Sequence, residues 1–114
     1  MRITTGLEDP LLLPIDVVEL GHDVLTVFVE GDVDLDEAGE LRAVLGDAVR
    51  DGHRSIIVDL TGVHFMGSSG MGVLAELAGR LKAEGRTMTV RGCRPAIQRA
   101  FEVTGLDRHL DVEL

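Results

Sequence analysis

HFMGSSGMGVL, residues 64–74, sets two serines and three glycines among apolar residues. Upstream lies RSIIVDL, residues 54–60, a short β-branched run of the kind that forms a buried strand. Downstream, Met71, Leu74, Leu77, Ala78 and Leu81 recur at helical spacing. The stretch is therefore the step from a strand, through a loop over Thr61–Gly67, into a helix. Four uses fit a Ser-Ser-Gly run at such a step: a phosphate cradle, a nucleophile, a helix cap, or a serine that is itself modified.

The chemical motifs that share this composition fail on spacing. A P-loop needs a lysine and then a hydroxyl residue after its second glycine, and Gly70 is followed by Met71. The dinucleotide pattern G-x-G-x-x-G is reversed here, as G-x-x-G-x-G. A hydrolase elbow, G-x-S-x-G, would need glycine two places after Ser69, where Met71 stands. None of the four histidines, His22, His53, His64 and His109, has a recognisable orienting acid. Catalysis is not expected, and no cofactor is implied. A serine entering an apolar helix caps it and is worth about 1 kcal/mol. Gly70 and Gly72, however, each cost the helix on the order of 1 kcal/mol relative to alanine. Either something outside the chain approaches them closely, or the helix packs tightly on its sheet.

Working outward, residues 15–20 and 24–29 are β-branched and apolar and flank Gly21-His22-Asp23, which predicts a hairpin. Ala38, Leu41, Val44, Leu45, Ala48 and Val49 predict a first helix, with Asp36 as its N-cap and Gly52 at its end. Gly85 closes the second helix, and TMTVR, residues 87–91, alternates as a strand. Pro95 opens a third helix carrying Ile97, Ala100, Phe101 and Thr104 on its inner side, and Gly105 stops it. Residues 106–114 could add a short edge element. Residues 1–14, with Pro10 and Pro14, predict a flexible lead-in before one domain at 15–114. The alternation implies an α/β fold with right-handed crossovers between parallel strands.

Composition narrows the function. At 114 residues the chain suits one domain with a core of its own. Aromatics are 3%, with no Trp or Tyr, so a base-stacking platform for nucleic acid is not expected. A net charge of −9 argues against direct binding to nucleic acid or anionic membranes. Residues 1–57 hold 13 acids and 4 bases, whereas 58–114 hold 7 of each, so a basic protein partner suits the acidic half. The run EGDVDLDEAGE, residues 30–40, has six acids and no base. A calcium loop starting at Asp32 would need glycine sixth and glutamate twelfth, where Glu37 and Ala43 stand, so no metal site is expected. The single cysteine, Cys93, excludes an internal disulfide and fits a reducing cytoplasm. The start, MRITTGLEDPLLLP, lacks the longer apolar region of a signal peptide, and no run approaches a membrane span.

Three segments together resemble the anti-sigma-factor antagonists of the STAS domain family. VDLTGVHFMGSSGMGVLAEL, residues 58–77, is similar to the family's strand ending in Asp-Leu, loop with a buried aromatic, and Asp-Ser-Ser/Thr-Gly-Leu-Gly helix start. VEGDVD, residues 29–34, resembles its Gly-Glu-Leu/Ile-Asp segment, and PAIQRAFEVTGLDRHLDV, residues 95–112, resembles its last helix and Thr/Ser-Gly-Leu ending. The resemblance implies a single STAS-type domain: a mixed four- to five-stranded sheet with helices packed mainly on one face.

It also implies a function. Such a protein is bacterial and cytoplasmic, a monomer or weak dimer. It binds an anti-sigma factor that is often a serine-protein kinase, and so frees a sigma factor for transcription, as in stress response or sporulation. Phosphorylation of the first serine, here Ser68, switches it off. The implied partner-binding residues are Asp34, Gly67, Ser68, Ser69, Gly70 and Met71. Gly67 replaces the family's aspartate and Met71 its leucine. The alternative the family allows is an unphosphorylated STAS interaction or scaffold subunit of a signalling or transporter assembly.

Overall fold

A computed structural model of the chain describes residues 2–5, 14–20, 23–108 and 110–113. The chain runs β1 (Arg2–Thr5), β2 (Ile15–Leu20), β3 (Val24–Val33), α1 (Leu35–Arg50), β4 (Ser55–Met66) and α2 (Ser68–Ala83). It continues with β5 (Thr87–Arg91), α3 (Pro95–Thr104), a 3-10 turn (Leu106–Arg108) and β6 (Asp111–Glu113). The strands lie in the order β1-β2-β3-β4-β5-β6. β1 and β2 pair antiparallel, as do β2 and β3, and the remaining pairs are parallel. The fold is thus α/β with a mixed sheet, as expected.

Because β3, β4, β5 and β6 follow one another across the sheet, right-handed crossovers carry α1, α2 and α3 to the same face. That face is the core. Register aligns Val17 with Val27, Val27 with Val58 and Val58 with Val90, and all four are buried. The helices close over them with Leu41 and Leu45, then Leu74, Leu77 and Leu81, then Ile97 and Phe101. Each fully buried leucine of this kind contributes roughly 1.5–3 kcal/mol of transfer free energy. No helix among the described residues is long and apolar enough to cross a membrane.

The expectations need three corrections. The sheet has six strands rather than four or five, because Arg2–Thr5, inside the expected lead-in, pair with β2 from Arg2–Val18 to Thr5–Ile15. The prolines signalled a loop, but the β-branched Ile3, Thr4 and Thr5 precede them and suit an edge strand. Residues 6–13 of that lead-in, and Gly21 and His22 of the expected hairpin turn, lie outside the described residues.

Next, β3 and β4 run on to Val33 and Met66, through what the composition marked as an acidic run and a loop. Their parallel pairing survives two register shifts, between Phe28 and Glu30 and between Gly31 and Asp32. Gly31 sits there at φ 94°, in a region that favours glycine.

Finally, α1 is capped by Asp34 and not by Asp36, which lies in its first turn. Glu37 Oε1 accepts a hydrogen bond from the Asp34 backbone N–H at 3.1 Å, half of a reciprocal capping box.

Candidate functional site

The two long strands deliver the starts of α1 and α2 to one edge of the sheet. The Gly67 N–H donates to the Val33 carbonyl at 2.9 Å, which ties the two helix entries together. Gly67 is the N-cap of α2, with φ −77° and ψ 176°, and Ser68 is the first helical residue. The Met71 N–H closes the first turn on the Gly67 carbonyl at 3.1 Å. No side chain caps this helix, and neither Ser68 nor Ser69 hydroxyl makes a hydrogen bond among the described residues. The expectation that a serine serves as the cap is therefore corrected. Ser68 lies one position too far along, with its side chain exposed. The first turn holds no acid, so the positive end of the α2 dipole is open beside Ser68.

The two glycines have different reasons. A Cβ on Gly70 would stand 2.8 Å from Val33 Cγ1 and 3.0 Å from Met66 Cγ, so only glycine lets α2 sit on the strand ends. A Cβ on Gly72 would meet nothing within 4 Å. Tight packing explains Gly70, which is buried, and leaves Gly72 unexplained from within the chain.

Gly72 instead borders a cavity of about 330 Å³, open to solvent. Ser68, Met71, Gly72 and Ala75 of α2 line one side, and Thr104, Gly105 and Leu106 line the other. Spacing arguments placed Thr104 on the inner side of α3 and read Gly105 only as a stop. The available signal was the Thr-Gly-Leu ending itself, residues 104–106, which the fold lays beside the serine.

Asp34 stands next to this helix start. Its Oδ1 is 3.2 Å from the point a Cβ on residue 67 would occupy, and the Phe65 ring is 3.7 Å from the same point. Asp34, Gly67 and Ser68 thus share one patch of surface, with Met71 half-buried at its side. Phe65, which matches the family's buried aromatic, is in fact 50% exposed. It is the penultimate residue of β4 and pairs in register with exposed Asp32, away from the core side taken by Val33 and Met66.

Among the described residues, His53 and His64 add no catalytic pair at this site. His53 is buried and does have an acid, Glu19 Oε1, at 2.8 Å from Nε2, which sequence reading missed because the two are 34 residues apart. This pair lies before β4 and Ser68 lies after it, so the 12-residue strand, roughly 36 Å long, separates them.

On the sheet face away from the helices, Arg91 Nε donates to Asp59 Oδ2 at 2.8 Å, and the guanidinium lies 5.7 Å from the Phe28 ring centroid. Burial raises the Asp59 carboxyl, but hydrogen bonds from Arg91 and Thr61 outweigh it and hold the group below its usual range. Burial, with the Asp59 charge adding to it, pushes the Cys93 thiol up to about 11.

Residues 15–114 match the family model described as the STAS domain. Over 80 residues the chain is 35% identical to an anti-sigma-B factor antagonist of Staphylococcus aureus (strain NCTC 8325 / PS 47), covering 70% of this chain and 74% of that protein. The structure is similar to that of an anti-sigma factor antagonist from Mycobacterium paratuberculosis, with a TM-score of 0.76, 28% identity and coverage of 98% of this chain and 85% of that one. It is also similar to SpoIIAA in its unphosphorylated form, with a TM-score of 0.72, 18% identity and coverage of 88% and 87%. The phosphorylated form of SpoIIAA from Bacillus gives 0.71, 20%, and coverage of 88% and 91%. At such identities the likeness to SpoIIAA concerns the fold.

Proposed function

The chain belongs to the STAS domain family, and from that premise we propose that it is an anti-sigma-factor antagonist switched off by phosphorylation of Ser68. The observation that carries the proposal is the state of that serine: exposed, without a hydrogen bond among the described residues, and first in a helix that no side chain caps. A partner kinase supplies ATP and reaches the hydroxyl without unfolding any part of the site. In the unphosphorylated protein, Ser68, Met71 and the cavity beside them form the docking face, with Asp34 at its acidic margin. The work is done in the bacterial cytoplasm, where the bound anti-sigma factor releases its sigma factor.

The physics of the switch follows from position. A phosphate adds about −1.5 to −2 charges at neutral pH. At the start of α2 it meets the positive end of the helix, which favours it by roughly 0.3–1 kcal/mol. The fold therefore tolerates the modification. The docked complex does not, because the phosphate would be buried near Asp34 and must be desolvated against like charge. The relative SpoIIAA, solved in both unphosphorylated and phosphorylated forms, supports a fold that accepts the group.

One observation favours the second reading, an unmodified interaction subunit. Gly67 gives Ser68 no acidic neighbour before it in the chain. One experiment separates the two readings: each anti-sigma kinase of the same genome is incubated with the protein and ATP, and added phosphate is located by mass spectrometry. Phosphate on Ser68 is the expected result. No phosphate with any kinase, alongside stable binding to one, establishes the unmodified subunit.

A further inference from the structure

Three large apolar side chains are exposed among the described residues: Leu35 at 73%, Phe65 at 50% and Val103 at 81%. Two of them lie beside one carboxylate, Leu35 in sequence and Phe65 in space. Leu35 follows Asp34 directly, at the first position of α1. The Phe65 ring and Asp34 Oδ1 lie 3.7 and 3.2 Å from one common point above Gly67. We propose that Leu35 and Phe65 are the two apolar anchors of the docking face, and that Asp34 between them receives an arginine or lysine of the anti-sigma factor. The proposal rests on the antagonist function above and names the chemistry of its partner.

Neither anchor belongs to the buried core, Leu35 being 73% and Phe65 50% exposed. The first position of a helix tolerates proline or an acid, and a leucine there buries nothing of this chain. Phe65 is one of only three phenylalanines, and another of them, Phe101, is wholly buried in the core. A scarce aromatic left half in water beside a serine-bearing helix start fits an interface anchor.

Charge identifies what comes between the anchors. Glu30, Asp32 and Asp36 surround Asp34, all are exposed, and none makes an ion pair among the described residues. No base occurs from residue 30 to 40. The next one along, Arg42, is held by Glu76 at 2.6 Å. The charge this patch is suited to receive from a partner is therefore a basic side chain, set beside two apolar contacts. Such a pair steers encounter and makes affinity fall as salt rises.

The test uses the full chain and the purified anti-sigma kinase from the same genome that binds it, titrated by calorimetry at low and high salt. Leu35→Ala and Phe65→Ala are each expected to weaken binding tenfold or more with the melting temperature retained. Asp34→Asn is expected to reduce the salt dependence. Val103→Ala, at an exposed apolar site that does not itself line the cavity, is expected to bind within twofold of the parent. Should Phe65→Ala loosen the end of β4, Leu35→Ala decides alone. If Leu35→Ala binds like the parent, or Val103→Ala costs as much as it does, the anchors are misassigned while the antagonist function stands. If the unsubstituted chain binds no anti-sigma kinase, the function itself fails and takes this inference with it.

Discussion

Asp34 and Gly67 meet where β3 and β4 end: the Asp34 carboxylate oxygen is 3.2 Å from where the side chain of residue 67 would begin. Glycine at this cap leaves room for the Asp34 carboxylate, whose own place is the N-cap of α1. A second carboxylate at 67 would face the first. Two like charges about 4 Å apart repel by about 1 kcal/mol in water. The cycle of Gly67→Asp and Asp34→Asn is therefore expected to show an unfavourable coupling on the order of 0.5–1 kcal/mol between the acids, read from urea unfolding. Additive effects would mean that the carboxylates do not sense each other.

Gly70 and Gly72 of α2 should respond to alanine with opposite signs. At Gly70 the new methyl would press on Val33 and Met66, at a cost of about 1–3 kcal/mol. At Gly72 it meets open space, and the helix gains up to about 1 kcal/mol. Denaturant midpoints of the two variants, compared with the parent, give the answer. Equal losses at both sites would contradict the packing described above.

Asp59 should contribute to acid sensitivity. Its carboxyl titrates lower in the folded protein than in the unfolded chain, held down by Arg91 and Thr61 against the opposing effect of burial. Its stabilisation is thus fully present above the ordinary value of 3.8 and is lost as pH falls through the lower, folded value. Asp59→Asn is expected to lower the melting temperature at pH 7 and to make the fall toward about pH 2 shallower. An unchanged slope would show that the Arg91 contact has no bearing on acid stability.

Cys93 should be a sluggish thiol. With its titration pushed up from 9.0 to about 11, the thiolate fraction at pH 8 is smaller by about a hundredfold than for an unperturbed group. Iodoacetamide is expected to label it far more slowly in the native protein than in urea. Equal rates would mean that the thiol is not held as described.

The core was the legible part of this protein. Leu41 and Leu45, Leu74 and Leu77, and Val58 and Val90 show their periods directly, because burial imposes those periods on sequence. Less visible was whatever depends on pairing between distant segments. The acids Glu30 and Asp32 look like loop residues until the register with β4 makes them the exposed side of a strand. Asp34 is one of four alternating or adjacent acids until its reciprocal bond with Glu37 singles it out, and the D-x-x-E spacing was the available clue. His53 and Glu19 meet only because β2 and β4 flank β3, where Glu19 and Ile56 both pair with Leu25. At the candidate site, the motif singled out Ser68 for attention, but spacing alone did not exclude a cap role for its hydroxyl or bring Thr104–Leu106 alongside.

A regulatory role for Ser68 is tested most directly by the affinity of two variants for the anti-sigma kinase that binds the parent. Ser68→Ala keeps the docking face neutral, and is expected to bind like the parent. Ser68→Glu places a fixed negative charge at the start of α2, and is expected to lose at least tenfold in affinity while melting at the parental temperature. Equal binding by both would contradict the switch.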